Sequence, residues 1–236
     1  MNRLRCFLGK RPLEVNGVKL YSPTIDEIDE IGELKYHINL TLATFDKESI
    51  LKNLFGATDE EYEKVENFDD YDILTISTNI IKHMEEAISF FTKQEVSFNK
   101  ETNSFLLSDG SEITKENYKN ISEAINFLNG IEKKKEEPVN KSGKKYKKLK
   151  ELKELRKKYN KNNNTLELKD ILSILCSVNG NGINIFNVRK LTIYQVYERF
   201  ERFNVYENHI RILRVWANGL LKENSKLPEW IVKTKL

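Results

Sequence analysis

The sequence is poor in the residues that most enzymes and secreted proteins need. It holds two cysteines and three histidines in 236 residues. His37, His83 and His209 are scattered, and none accompanies a serine or cysteine in a nucleophile motif. Zinc spacing, a phosphate loop and a dinucleotide fingerprint are missing. Asn179-Gly180-Asn181-Gly182 is glycine-rich but has no following lysine. Asp59, Glu60, Glu61, Asp69, Asp70 and Asp72 lack the glycine and closing glutamate of a calcium loop, so helix starts on a solvated face account for them better. No enzyme activity, cofactor or metal is expected. No apolar run approaches the ~18 residues of a membrane span, and MNRLRCFLGKRPLEV has no apolar region adequate for a secretory signal. Cys176 lies in the apolar run ILSILCSV, where a reduced, buried thiol is expected, and a cytoplasmic address follows.

Hydrophobic residues make up 39% and charged residues 32%, as in a folded, highly charged soluble protein. The length allows one sizeable core or two small domains. The net charge of +3 is unevenly spread: residues 1–140 carry −10, residues 141–161 carry +9 and residues 162–236 carry +4. Such a split predicts an acidic module over 1–130, a charged linker and basic helix over 131–164, and a rear module over 165–236.

The front module reads as α+β. Leu13–Tyr21 is a hairpin around Asn16-Gly17, whose residues tolerate the two positive φ values of a type I′ turn. Thr24-x-x-Glu27 is a capping box that opens a helix with Ile25, Ile28, Ile31 and Ile38 on one stripe, weakened at Gly32. A short helix over Asp46–Phe55 closes at Gly56, and Thr58-x-x-Glu61 opens another. Asp72–Lys93 reads as one long helix with a wide stripe from Ile73 to Phe91. Glu95–Phe98 and Ser104–Leu107 form a second small hairpin, and a helix over Thr114–Leu128 stops at Asn129-Gly130. The predicted fold class is mainly α, with two short β-hairpins in the front module and a helical rear module.

The linker carries Pro138, then a stretch rich in lysine. In it Tyr146, Leu149, Leu152, Leu155 and Tyr159 share one helical face. Its lysines, among them Lys147, Lys150, Lys153 and Lys157, could follow nucleic-acid phosphates, lie on an anionic membrane or meet acidic protein surface. No recognised nucleic-acid fold surrounds them and lipid anchors are few, so acidic protein surface is the preferred reading.

In the rear module, Leu168, Ile171, Leu172, Leu175 and Cys176 form a stripe, and Ile183–Val188 alternates. The organising stretch is LTIYQVYERFERF, Leu191–Phe203. Thr192-x-x-Gln195 caps it, and Ile193, Val196, Tyr197 and Phe200 form its stripe. Asn204 breaks that pattern, a second stripe runs through Ile210, Leu213 and Trp216, and a helical hairpin is expected. Pro228 near a last helix start brings Trp230 back toward the rear core. Two uses of the aromatics remain open. Tyr194, Tyr197, Phe200, Phe203, Trp216 and Trp230 either pack a small core or are presented to a partner, tyrosine and tryptophan being common hot spots.

LTIYQVYERFERF, RVWANGL and LPEWI resemble the C-terminal part of tail assembly chaperones from long-tailed phages and prophages of Firmicutes. KLYSPTIDEIDEIGELKYHINLTL, Lys19–Leu42, resembles the opening of the same proteins, so the two matches bracket most of the chain. The resemblance implies a non-enzymatic chaperone of the host cytoplasm. Such a chaperone binds the tape-measure protein, helps recruit tail tube protein and self-associates in some cases. The competing class is a nucleic-acid-binding protein using residues 144–161.

Overall fold

The structure is a computed structural model that describes residues 2–131, 166–178, 180, 182–220 and 227–234. An unforeseen helix, α1 (Arg3–Leu8), opens it, capped by the Asn2 side chain. Cys6 faces inward from α1 and is buried, and that burial pushes its thiol up. Cys176, expected to be the buried thiol, is only half-buried at the edge of its stripe. Asn16 and Gly17 take φ of 50° and 84°, and β1 (Leu13–Val15) pairs antiparallel with β2 (Val18–Leu20), Leu13 opposite Leu20. This is the hairpin expected from Asn-Gly.

The Thr24 capping box is present and opens α2 (Ile25–Ile31). The helix expected beyond it is two helices, because the chain turns at Gly32 before α3 (Glu33–Ala43). α4 (Lys47–Ser49) runs into a π-helical turn at Ile50–Leu54. The Thr58 capping box starts α5 (Asp59–Val65), and α6 (Asp70–Leu74) follows. Lys47, between these pieces, is 3% exposed; its ammonium donates to the carbonyls of Val65, Glu66 and Phe68 at 2.6–3.1 Å and pairs with Asp70 at 3.0 Å. A buried cation with every N–H engaged closes the open end of α5. Asp70 is thus a structural partner rather than a merely solvated acid.

The expected helix over Asp72–Lys93 is also divided, into α6 and α7 (Thr78–Thr92). Thr75 Oγ1 donates to the Tyr71 carbonyl at 2.8 Å and Ser77 caps α7, so short hydroxyl side chains give the backbone a way out of the helix. Ile76 is left exposed outside the stripe. β3 (Val96–Asn99) and β4 (Ser104–Leu107) pair as expected, and β4 gains a third strand, β5 (Glu112–Ile113), too short to show alternation. α8 (Tyr118–Leu128) closes the front part.

In the rear part, α9 (Leu168–Ser177) precedes a 3₁₀ turn at Val188–Lys190 and α10 (Ile193–Ala217). Ile183–Val188 is no strand. The Asn187 side chain accepts from Asn184 N–H at 2.9 Å and donates to the Gly182 carbonyl at 2.8 Å, folding the segment into a turn. Nor is there a break at Asn204: α10 is one helix of 25 residues, since a single asparagine costs a helix well under ~1 kcal/mol. The fold class stands as predicted, α+β overall, with both small sheets in the front part.

α3 packs against α7, the first hairpin covers α8, and β3 lies on α7. Phe45, Tyr71, Phe105 and Tyr118 form an aromatic cluster with centroids 5.2–6.3 Å apart. Among the described residues the rear part adds to the front core and closes none of its own. Ile171, Leu175, Ile193, Tyr194 and Val196 join one buried cluster with Tyr36, Leu40, Met84 and Ile125. Among the described residues two backbone bonds cross between the parts: Ile193 N–H donates to the Pro23 carbonyl at 2.8 Å, and Ile25 N–H to the Leu191 carbonyl at 2.9 Å. Native-state hydrogen exchange of these two amides is expected to need the same opening free energy as Ile88 in α7. Markedly faster exchange at both would show that the rear part undocks by itself. A chain ended at Gly130 loses the five rear core side chains and is expected to unfold at lower denaturant than the full chain.

Candidate partner-binding surface

The first half of α10 is fixed by hydrogen bonds at its start. Thr192 and Gln195 complete the expected capping box, with Gln195 N–H to Thr192 Oγ1 at 3.3 Å and Thr192 N–H to Gln195 Oε1 at 2.9 Å. Gln195 also donates from Nε2 to the Phe7 carbonyl at 2.8 Å, which ties down α1. Ser22 Oγ accepts from Tyr194 N–H at 3.2 Å and donates to the Leu128 carbonyl at 2.9 Å, joining α10 to the end of α8. Arg189 pairs with Asp26 at 2.6 Å.

These anchors sort the six aromatic candidates. Tyr194 is 1% exposed and packs on Phe127 with centroids 5.3 Å apart, so it is a core residue with no surface to present. Burial first, then the nearby Cys6, pushes its hydroxyl up to about 12. Tyr197 and Phe200 are half-buried against the same core. The Tyr197 side chain lies close against Gly130, where an added Cβ would come within 2.6 Å of Cδ2; burial, then Glu33, raises its hydroxyl. Phe203 is half-buried. Beyond Val196 no residue of α10 is fully buried. Trp216 and Trp230 stand 57% and 40% exposed. Lys147, Lys150, Lys153 and Lys157 lie outside the described residues.

Residues 227–234 form a strap that runs back along α10. The Pro228 carbonyl lies 2.5 Å from His209 Nδ1, Trp230 meets Tyr206 edge-on at 5.5 Å, and Arg202 donates to the Val232 carbonyl at 2.7 Å. At its end the Thr234 carbonyl accepts from Arg3 of α1 at 3.3 Å. Trp230 therefore does return, as the proline suggested, but onto the side of α10 and without a helical turn. Val215, Trp216, Leu220, Ile231 and Val232 remain exposed along this arm and strap. Among the described residues there is no group of three or more His, Cys, Asp or Glu side chains placed to hold a metal, and no helix long and apolar enough to cross a membrane.

Truncation separates the two kinds of aromatic. Tyr194→Ala is expected to cost ~3 kcal/mol of unfolding free energy, whereas Trp216→Ala should stay within ~0.5 kcal/mol. Equal losses in denaturant titrations would mean the division is wrong. Gly130→Ala is expected to cost ~2 kcal/mol, from the φ of +72° and the Tyr197 contact together. In a Tyr197→Ala background that cost should shrink; an additive cycle would remove the contact from the account.

Residues 158–235 match a family model described as the YomV second domain. Neither a curated protein nor a solved structure matches the chain. The matched stretch contains α9, α10 and the strap. YomV is a protein of Bacillus phages and prophages, so the similarity of this part of the chain is to a phage-related protein.

Proposed function

We propose that the chain is a phage tail assembly chaperone, non-enzymatic and working in the host cytoplasm, which binds the tape-measure protein and helps recruit tail tube subunits. The observation that carries this reading is the division of α10. One half is locked into the core, and the other carries Val215, Trp216 and Leu220 in the open beside a strap bearing Trp230 and Ile231. The same residues supply the motifs RVWANGL and LPEWI that resemble the chaperone family, and the phage-related match covers them.

The physical task fits this surface. A tape-measure protein is a long helical chain whose apolar stripes need reversible cover before tube subunits polymerise around it. Helix-in-groove contacts supply such cover without bond chemistry, and release follows when tube subunits compete for the same stripes. The acid excess of residues 1–140, −10 in formal charge, keeps the loaded chaperone soluble.

Co-expression of the tagged full chain with the tape-measure protein of the same phage tests the reading. The tape-measure protein is expected to co-purify with it. Combined Trp216→Ala and Trp230→Ala should cut recovery about tenfold or more while thermal unfolding stays unchanged, since buried hot-spot aromatics are worth ~2 kcal/mol each. Failure of the unaltered full chain to retain the tape-measure protein would refute the proposal.

A further inference from the structure

The strap and α1 together build a feature that the aromatic reading does not use. Between α1, the first half of α10 and residues 231–234 lies a groove of ≈ 510 Å³. Its apolar lining comes from Leu4 and Phe7 on one wall and Ile231 and Val232 on the other. Leu4 is 67% and Ile231 78% exposed, far from the buried state such side chains favour. Leu4 also borders a second hollow of ≈ 480 Å³ with Leu8, Lys10 and Arg11, so the apolar strip continues along α1.

The charge around this strip is mostly positive. Residues 1–13 contain Arg3, Arg5, Lys10 and Arg11 and no acid, within a front half that is otherwise strongly acidic. Lys233 adds a cation on the opposite wall. The acid that lines the groove, Glu198, faces Arg202 at 3.9 Å. Arg202 in turn is held by the carbonyls of the strap, and Arg199 sits 5.9 Å above the Phe7 ring. An apolar floor between basic rims is complementary to an apolar stripe between acidic ones.

We propose that this groove docks an amphipathic helix whose apolar stripe is flanked by aspartate and glutamate. The proposal rests on the chaperone reading for the identity of its client, and it adds where that client lies and which charge it carries. The same basic and apolar side chains could meet an anionic bilayer. The hollow of ≈ 510 Å³ between the two walls favours a helix, whereas a bilayer is reached by side chains that protrude from a convex face.

The test uses the full chain and two fluorescent synthetic helices of about 20 residues, long enough to hold helical structure. They share one leucine stripe and differ in flanking it with glutamate or with lysine. Anisotropy titrations are expected to show the glutamate peptide binding about tenfold tighter, with the preference shrinking as salt rises. Leu4→Ser with Ile231→Ser, both at exposed positions, should weaken it about fivefold or more with unfolding unchanged. Lys10→Glu, Arg11→Glu and Lys233→Glu combined should reverse the preference. Equal affinity for both peptides, no binding of either, or binding untouched by the groove variants overturns the proposal. So does binding only to vesicles of phosphatidylserine and phosphatidylcholine. Tape-measure recovery distinguishes the two readings. Full recovery by the groove variants removes this site and leaves the chaperone reading in place. Peptide binding as expected without tape-measure recovery by the unaltered chain removes the chaperone reading and leaves the groove.

Discussion

Two helix N-termini meet where Thr24 and Thr192 form an isolated antiparallel bridge, and the position of everything after residue 190 follows from that meeting. Each threonine caps its own helix with side chain and backbone alike, so the bonds across the bridge come from the flanking residues, Ile25 N–H to the Leu191 carbonyl and Ile193 N–H to the Pro23 carbonyl. The ends of α2 and α10 are both positive, and placing them together needs negative charge nearby. Asp26 and Glu27 supply it from the first turn of α2. Asp26 holds Arg189, while Glu27 accepts from Thr24 N–H at 2.8 Å and from Lys93. Burial works against the ionised Glu27, but the hydrogen bonds from Lys93 and Thr24 outweigh it and keep the carboxyl below its ordinary range. The bridge is therefore an electrostatically balanced joint as well as a pair of backbone bonds.

From that joint the geometry propagates in both directions. Ser22, two residues before Thr24, links the start of α10 to the Leu128 carbonyl at the end of α8. Tyr197 then falls one turn further along α10 over Gly130, where only a residue without Cβ leaves room for the ring. On the other side Gln195 reaches the Phe7 carbonyl and seats α1. Once three elements have been gripped within its first two turns, the rest of α10 has no freedom of direction. The distal half must project, and the strap, by binding Arg202, Tyr206 and His209 in succession, returns along it to α1. Exposure of Trp216 and the groove beside Leu4 thus share one cause.

What could be read from the sequence was what is decided within a few residues. The capping boxes at Thr24, Thr58 and Thr192 and the Asn16-Gly17 turn are local chemistry, and all four are present. The joint itself pairs residues 24 and 192, and no periodicity records a contact so distant. The same holds for the fate of the aromatics. Tyr194 and Trp216 are both aromatic candidates on one helix, and only the docking of the first turns on Ser22, Phe127 and Gly130 makes one of them core. Where sequence reasoning misjudged continuity, the causes were single residues. Gly32 and the Thr75–Ser77 hydroxyls divided helices that their stripes would have joined, and Asn204 failed to divide one. α1 escaped notice because six residues carry too little periodicity to separate a helix from a basic tail. With it went Leu4, Phe7 and Leu8, the side chains on which the groove depends.

A surface with the proposed task of covering a partner's apolar stripes has to be apolar and yet not collapse onto its own core, and rigid separation keeps this one open. Flexible attachment would let Trp216, Trp230 and Ile231 fold back and bury themselves, at ~25 cal/mol for each Å² of apolar area hidden. A continuous helix prevents that, because bending α10 back at Asn204 would break backbone hydrogen bonds with no glycine or proline to ease the kink. The strap adds to the restraint. Its carbonyls are held by Arg202 and Arg3, so Ile231 and Val232 are fixed beside Leu4 and Phe7 without closing over them. Pre-ordering both walls lowers the entropy that the proposed docking helix would have to overcome on binding. The expense of keeping these apolar groups in water falls on the folded core, and the five rear side chains that complete that core are what hold the arm in place.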